Sequence, residues 1–194
     1  MNSENPAPSP TPAAAPTVRN TRLFFFDSET GGLSPAEADM VEVACILTDP
    51  TGQHILDEYQ ARIFPTKPVH PKAAAVNGYT VEKWASTAID PIKAMHELMH
   101  RSQNAMFAAH NAAFDWGFFE PLMRQAGRRW QGDYHKLDTV GLAMPLYMAG
   151  KIPNLKLETL AAYFGIDPGE PHRAMSDVRT CRQVYLRLMK MFTC

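Results

Sequence analysis

The sequence predicts an α/β fold, a mixed central β-sheet flanked by α-helices. Three observations carry this. Two strand-sized apolar runs come early, at 22–26 and 40–48. Segments with apolar residues at helical spacing follow, at 91–101 and about 177–192. Between these helices lies a short apolar run, AMFAA at 105–109, long enough only for a strand. Strands first, then helices and strands alternating, is the pattern of a sheet with helices packed on it.

The elements follow in chain order. Residues 1–20 alternate Pro6, Pro8, Pro10, Pro12 and Pro16 with Ala, Ser and Thr. Such a stretch lacks core material and backbone donors, so it reads as a disordered or polyproline-like leader. The folded domain is expected over 21–194. Residues 22–26 read as a buried strand ending at Asp27. Residues 40–48 begin with alternation and become continuously apolar. A turn at Asp49-Pro50-Thr51-Gly52 then leads to a third strand over 54–64. A Pro-rich loop runs to Ala73-Ala74-Ala75-Val76-Asn77-Gly78. Ile92, Met95, Leu98 and Met99 place a helix over 91–101. The strand over 105–109 ends at His110-Asn111, and a helix runs from about Asp115 to its stop at Gly127. A short strand at 134–137 and short helices at 143–149 and 157–164 follow, the last stopped by Gly165. Val178, Cys181, Val184, Tyr185, Leu188 and Met191 line one face of a final helix over 177–192.

Composition narrows the class. The chain has 194 residues, the length of one domain, with 45% hydrophobic and 10% aromatic residues, enough for a real core. Lys plus Arg is 19 and Asp plus Glu is 20, a net charge of -1. That excludes a strongly basic DNA-coating protein. A nucleic-acid partner would have to be held by a local patch or by bound metal ions. Cys45, Cys181 and Cys194 are odd in number and far apart, which fits a reducing compartment better than a disulfide scaffold. No apolar run is long enough for a membrane span, and the start does not resemble a signal peptide. The reading is a cytoplasmic protein with no membrane partner.

Three short segments carry chemistry. In Asp27-Ser28-Glu29, strand alternation points both carboxylates the same way, a costly arrangement unless a cation sits between them. Mg²⁺ and Mn²⁺ prefer such oxygen ligands. Alone, the pattern reads more readily as an exposed acidic turn before Gly31-Gly32. Asp115, in His110-Asn111-Ala112-Ala113-Phe114-Asp115, stands where a strand gives way to a helix, and there it is also a candidate helix cap. Asp177 opens the last helix with the same double reading. His172, five residues earlier, is a loop imidazole suited to accepting protons near neutral pH. Four carboxylates at element ends, with that histidine, form the layout of a two-metal site cleaving a phosphodiester.

FDSETGG, HNAAFD and HRAMSD, in this order, resemble the three exonuclease motifs of the DnaQ-like 3′–5′ exonucleases, DEDDh subgroup, over residues 21–192. Leu137-Asp138-Thr139 and Asn154-Leu155-Lys156-Leu157 add to the likeness. That family includes the proofreading epsilon subunit of DNA polymerase III. The resemblance implies a ribonuclease H-like fold. It implies two Mg²⁺ or Mn²⁺ ions on Asp27, Glu29, Asp115 and Asp177, with His172 as general base. Nucleoside 5′-monophosphates would leave from the 3′ end of a single-stranded or frayed strand. Thr30, Gly31, Gly32 and Leu33 would cradle the terminal nucleotide, the glycines allowing close backbone approach and Leu33 wedging against the last base. Asn111 and Phe114 would line the same pocket. Many relatives have His-Gly where this chain has Asn77-Gly78, so Asn77 would meet the nucleotide as an uncharged group.

DNA is the favoured substrate, with RNA trimming as the alternative, since the fold serves both. A non-catalytic nucleic-acid-binding or polymerase-associated module is a further class, against which the five intact site residues argue. The chain ends just after the last helix, without the extension by which an epsilon subunit tethers its polymerase. A stand-alone nuclease is therefore expected, or one recruited to a polymerase or repair partner through the leader. Arg124, Arg128, Arg129 and Arg173 are candidates for guiding the strand, although for each one taken singly ordinary solvated charge is the stronger reading.

Overall fold

A computed structural model describes residues 20–192. The leader call and Cys194 lie outside the described residues, apart from Asn20. Five strands form one sheet in the order β3-β2-β1-β4-β5. Strands β1 (Arg22–Thr30), β2 (Met40–Thr48) and β3 (Ile55–Arg62) make an antiparallel meander. Strands β4 (Ala105–Ala109) and β5 (Lys136–Asp138) run parallel to β1 and to each other. The mixed sheet flanked by helices is thus present as expected.

Strand β1 is buried on both faces, and its alternation sorts two cores. Phe24 and Phe26 point to one side, where α3 (Pro91–Arg101) and α4 (Ala112–Gln125) cover them with Met95, Leu98, Phe118 and Phe119. Leu23 and Phe25 point to the other, against Ala174, Val178, Cys181 and Tyr185 of α7 (Ala174–Phe192). Helices α5 (Thr139–Met148) and α6 (Leu157–Phe164) pack on the outer part of α7 around Leu146, Leu160, Val184 and Leu188. The rings of Phe24, Phe26, Phe107 and Phe119 contact one another, their centroids 5.2–6.5 Å apart. Ring packing of this kind, half of the pairs edge-on and the others tilted or stacked, adds to area burial.

Several boundaries differ from expectation, and each difference moves a site residue. Strand β1 does not stop at Asp27. It continues to Thr30, because β2 supplies ladder partners to the end, pairing Glu29 with Glu42 and Thr30 with Met40. Helix α4 begins three residues before Asp115, which therefore lies inside its first turn and is not the cap. Asp177 is likewise in the first turn of α7, on the same stripe as Ala174, Val178 and Cys181. Strand β5 begins later than read, and Asp138 at its end caps α5, which starts four residues early.

The stretch read as a loop before Gly78 is helix α1 (Pro71–Asn77), and a short α2 (Val81–Ala85) follows. Pro71 opens α1 and Gly78 closes it in the left-handed conformation, φ 70°. These are the ordinary proline-first, glycine-last signals. Trp84 anchors α2 by donating its indole N–H to the Val41 carbonyl at 2.6 Å.

Candidate active site

The carboxylates converge because of strand parity. Asp27 and Glu29 share the face of Leu23 and Phe25, toward α7 and Asp177. Ser28 points the other way, and its hydroxyl donates to Asp115 Oδ1 at 2.7 Å. Asp115 reaches the sheet end from α4 and Asp177 from α7. Four positions spread over 150 residues of chain thus meet at the end of β1.

Their distances sort them. Ligand-type atoms of Glu29, His172 and Asp177 all lie within 4.8 Å of one another. Asp27 and Asp115 stand beside this group but do not join such a set among the described residues. His172 is on the loop before α7, in the left-handed region with φ 57°. Its backbone N–H donates to Asp177 Oδ2 at 3.1 Å.

The cluster is strongly acidic and partly buried. Burial, and then the charges of Asp115, Asp177 and Glu29, push the Asp27 carboxyl well above the usual range. Burial and Asp177 raise Glu29 to about 7, against a smaller lowering by Arg173. Burial raises Asp115 to about 7 even though the Ser28 hydroxyl stabilises its charge. Asp177 is raised by burial and lowered by His172. One contributor was missed in the sequence. Glu42, buried directly opposite Glu29 on β2, adds to the repulsion while accepting a hydrogen bond from Gln60 Nε2. The MVEV alternation held the signal, since it places Glu42 on one face with Ala44.

Two concave surfaces flank the cluster. A cleft of about 770 Å³ is lined by Glu29, Thr30, Gly31, Gly32, Leu33, Asn77 and Phe114, among others. Six of the seven expected nucleotide contacts therefore share one cavity. Leu33 is 87% exposed at its rim. A second groove, about 780 Å³, is lined by Asp27, His110, Asn111, Leu155, Lys156, His172 and Asp177. Asn111 thus lies in this groove rather than with Phe114. The glycines have a packing role as well: a Cβ on Gly32 would sit 3.1 Å from Ala38 Cβ. Asn77 is only 2% exposed. Its Nδ2 donates to the Thr30 carbonyl at 3.1 Å and its Oδ1 accepts from Tyr79 N–H at 3.0 Å.

Asp138 matters more than the resemblance alone suggested. Its carboxylate accepts from the backbone N–H groups of Asn111 and Ala112, both at 3.0 Å, and of Val140 at 2.9 Å. It ties the start of α4, hence Asp115, to the start of α5. Asn111 has φ 65° and makes no side-chain cap bond, so Asp138 supplies what the Asn111 side chain does not. His110 is structural in character, its Nδ1 being 2.9 Å from Thr139 Oγ1.

A mixed sheet in this order gathers buried Glu29 and Asp115 and half-buried Asp27 and Asp177 at the end of its central strand, oxygen donors of the kind that divalent cations prefer. A family model described as an exonuclease (RNase T) matches residues 24–185, and the chain belongs to that family. A DNA polymerase III PolC-type protein of Thermotoga maritima is 29% identical over 177 residues, covering 90% of this chain and 12% of the relative. The DNA polymerase III epsilon subunit of Treponema pallidum is 25% identical over 165 residues, 84% of this chain and 74% of the relative. The chain thus spans only a small part of the PolC-type relatives it matches. Among solved structures, a zinc-bound E. coli exonuclease I–ssDNA complex superimposes with TM-score 0.78 at 20% identity, covering 90% of this chain and 43% of the other. The ribonuclease H-like fold of the DnaQ-like exonucleases is the fold of this chain. Among the described residues, no helix is long and apolar enough to cross a membrane.

Proposed function

We propose that the chain is a 3′–5′ exonuclease of the DEDDh type. It would remove nucleoside 5′-monophosphates from single-stranded or frayed DNA. The observation that carries this is the convergence of Glu29, His172 and Asp177 donor atoms within 4.8 Å, beside half-buried Asp27 and buried Asp115.

The residues fit two divalent cations, Mg²⁺ or Mn²⁺. Carboxylates with raised proton affinity, crowded and desolvated, are the oxygen donors such ions prefer, and binding them relieves the repulsion. Asp27, Glu29, Asp115 and Asp177 would hold them. Bound there, the ions supply positive charge to the transferring phosphate and acidify water. His172 accepts the proton of the attacking water, being exposed in the groove beside Asp27 and held by its backbone bond to Asp177. Thr30, Gly31, Gly32, Leu33, Phe114 and Asn111 orient the terminal nucleotides, with Leu33 and Phe114 offering apolar surface to the bases. Asn77 supports this cradle from beneath through Thr30. A single strand suits the open cleft, because a paired end must first fray. The exonuclease I neighbour was solved with ssDNA and zinc, which supports both the substrate and a metal. The polymerase III relatives support a replication or repair setting.

The test uses 5′-labelled DNA and RNA of one sequence with Mg²⁺, Mn²⁺ or EDTA, beside Asp27→Ala and His172→Ala. A metal-dependent ladder shrinking from the 3′ end and lost in both variants is expected, faster on DNA. A faster RNA ladder makes the chain an exoribonuclease. Wild-type rates in Asp27→Ala would defeat the catalytic assignment.

A further inference from the structure

The loop between α6 and α7 has a difficult task. It presents exposed His172, a residue that carries a Cβ, in a left-handed conformation. Such a residue persists only where its surroundings over-determine it. The base of the loop is held from α7, with Ser176 Oγ donating to the Pro168 carbonyl at 2.8 Å. The tip is held from across the cleft. Arg173 Nη1 donates to the Asn77 carbonyl at 2.7 Å, a bond spanning 96 positions. Its Nε meets Glu170 Oε1 at 3.2 Å.

The receiving side is built for this. The Asn77 carbonyl ends α1, where helix dipoles leave partial negative charge. Gly78 follows, and a Cβ there would stand 3.4 Å from Arg173 Nη1, at a φ that side chains resist. Both amide ends of Asn77 are engaged inside the protein, one of them on Thr30. Hydrogen bonds therefore run from Thr30, next to Glu29, through Asn77 to Arg173, next to His172. Only a planar guanidinium places two donors in fixed geometry at this junction.

We propose that Arg173 is a positioning residue, a clasp that fixes the His172 loop against the end of α1 and couples it to the wall carrying Thr30. The inference rests on the function proposed above and concerns how its base is held. Arg173 need not touch the strand, although guiding it was the role the sequence suggested.

The test compares wild type, Arg173→Met, Arg173→Lys and His172→Ala on the same labelled DNA, with amide hydrogen exchange measured on the metal-free proteins. In Arg173→Met, kcat should fall about 10- to 100-fold with KM little changed, as expected for a misplaced base. Exchange should rise at residues 170–173. Arg173→Lys keeps one donor for the Asn77 carbonyl but loses the fixed second donor to Glu170, and should recover only part of the loss. Should Arg173→Met not fold, Arg173→Gln takes its place. A wild-type kcat in the Met variant overturns the clasp, as does a loss confined to KM, which would make Arg173 a strand contact. Unchanged exchange overturns it too. An inactive His172→Ala beside an unaffected Arg173→Met sinks the clasp alone, and an active His172→Ala sinks the proposed base and the clasp together.

Discussion

The Ser28 hydroxyl donates to Asp115 Oδ1 at 2.7 Å, joining the strand that carries Asp27 and Glu29 to the helix that carries Asp115. Ser28 faces away from the two acids beside it, toward α4. It is the polar link between the two faces of β1. Ser28→Ala removes a bond that stabilises the charged form of Asp115. We expect half-maximal activity at pH 7 to need several-fold more Mn²⁺, at a stability cost of about 1 kcal/mol. Metal titration of the rate checks the first and denaturant unfolding the second.

The acidic cluster ties stability to pH. Glu29 and Asp115 titrate near 7 in the folded chain and near their ordinary values of 4.5 and 3.8 when unfolded. Between these limits the folded state binds more protons, so stability falls as pH rises toward and through 7. In EDTA, the melting temperature should drop from pH 5.5 to pH 8, and added Mg²⁺ or Mn²⁺ should restore most of the difference at pH 8. A melting temperature that rises over this range contradicts the reading.

Glu29→Gln follows from the same repulsion. It should stabilise the metal-free protein at pH 8 by about 1–3 kcal/mol, flatten the pH dependence, and abolish cleavage. Calorimetry in EDTA and the labelled-strand assay report the two effects. Loss of stability in this variant would mean that Glu29 is engaged by a favourable partner.

Asp138→Ala leaves the N–H groups of Asn111, Ala112 and Val140 without their acceptor. A cost of about 1–3 kcal/mol is expected from the lost caps. Because Asp115 sits one turn beyond, kcat should fall even at temperatures well below the unfolding transition. Full activity there would show that α4 is held in place by its core residues alone.

Leu33→Ala tests the cradle without touching the core. At 87% exposure the side chain contributes little to the fold, and the stability change should stay within about 0.5 kcal/mol. KM for single-stranded DNA should rise several-fold if Leu33 packs against the terminal base. An unchanged KM removes it from the contact surface.

The sequence by itself determined the sheet with its helices, because apolar runs and helical periodicity are local signals that survive folding. It also singled out the residues proposed to carry the chemistry: Asp27, Glu29, Asp115, His172 and Asp177 stand in motifs readable one segment at a time. Proline before and glycine after α1 were also local signals, yet a run of small residues hid that helix. Only the tertiary structure decided which of these groups meet. The Glu29–His172–Asp177 cluster, Glu42 opposite Glu29, Ser28 on Asp115 and Arg173 on Asn77 all depend on strand register and helix placement. So does the extension of β1 past Asp27, since an acidic strand end is stable only when a neighbouring strand completes its ladder. Long-range pairing is set by packing of the whole chain, and no window of sequence contains it.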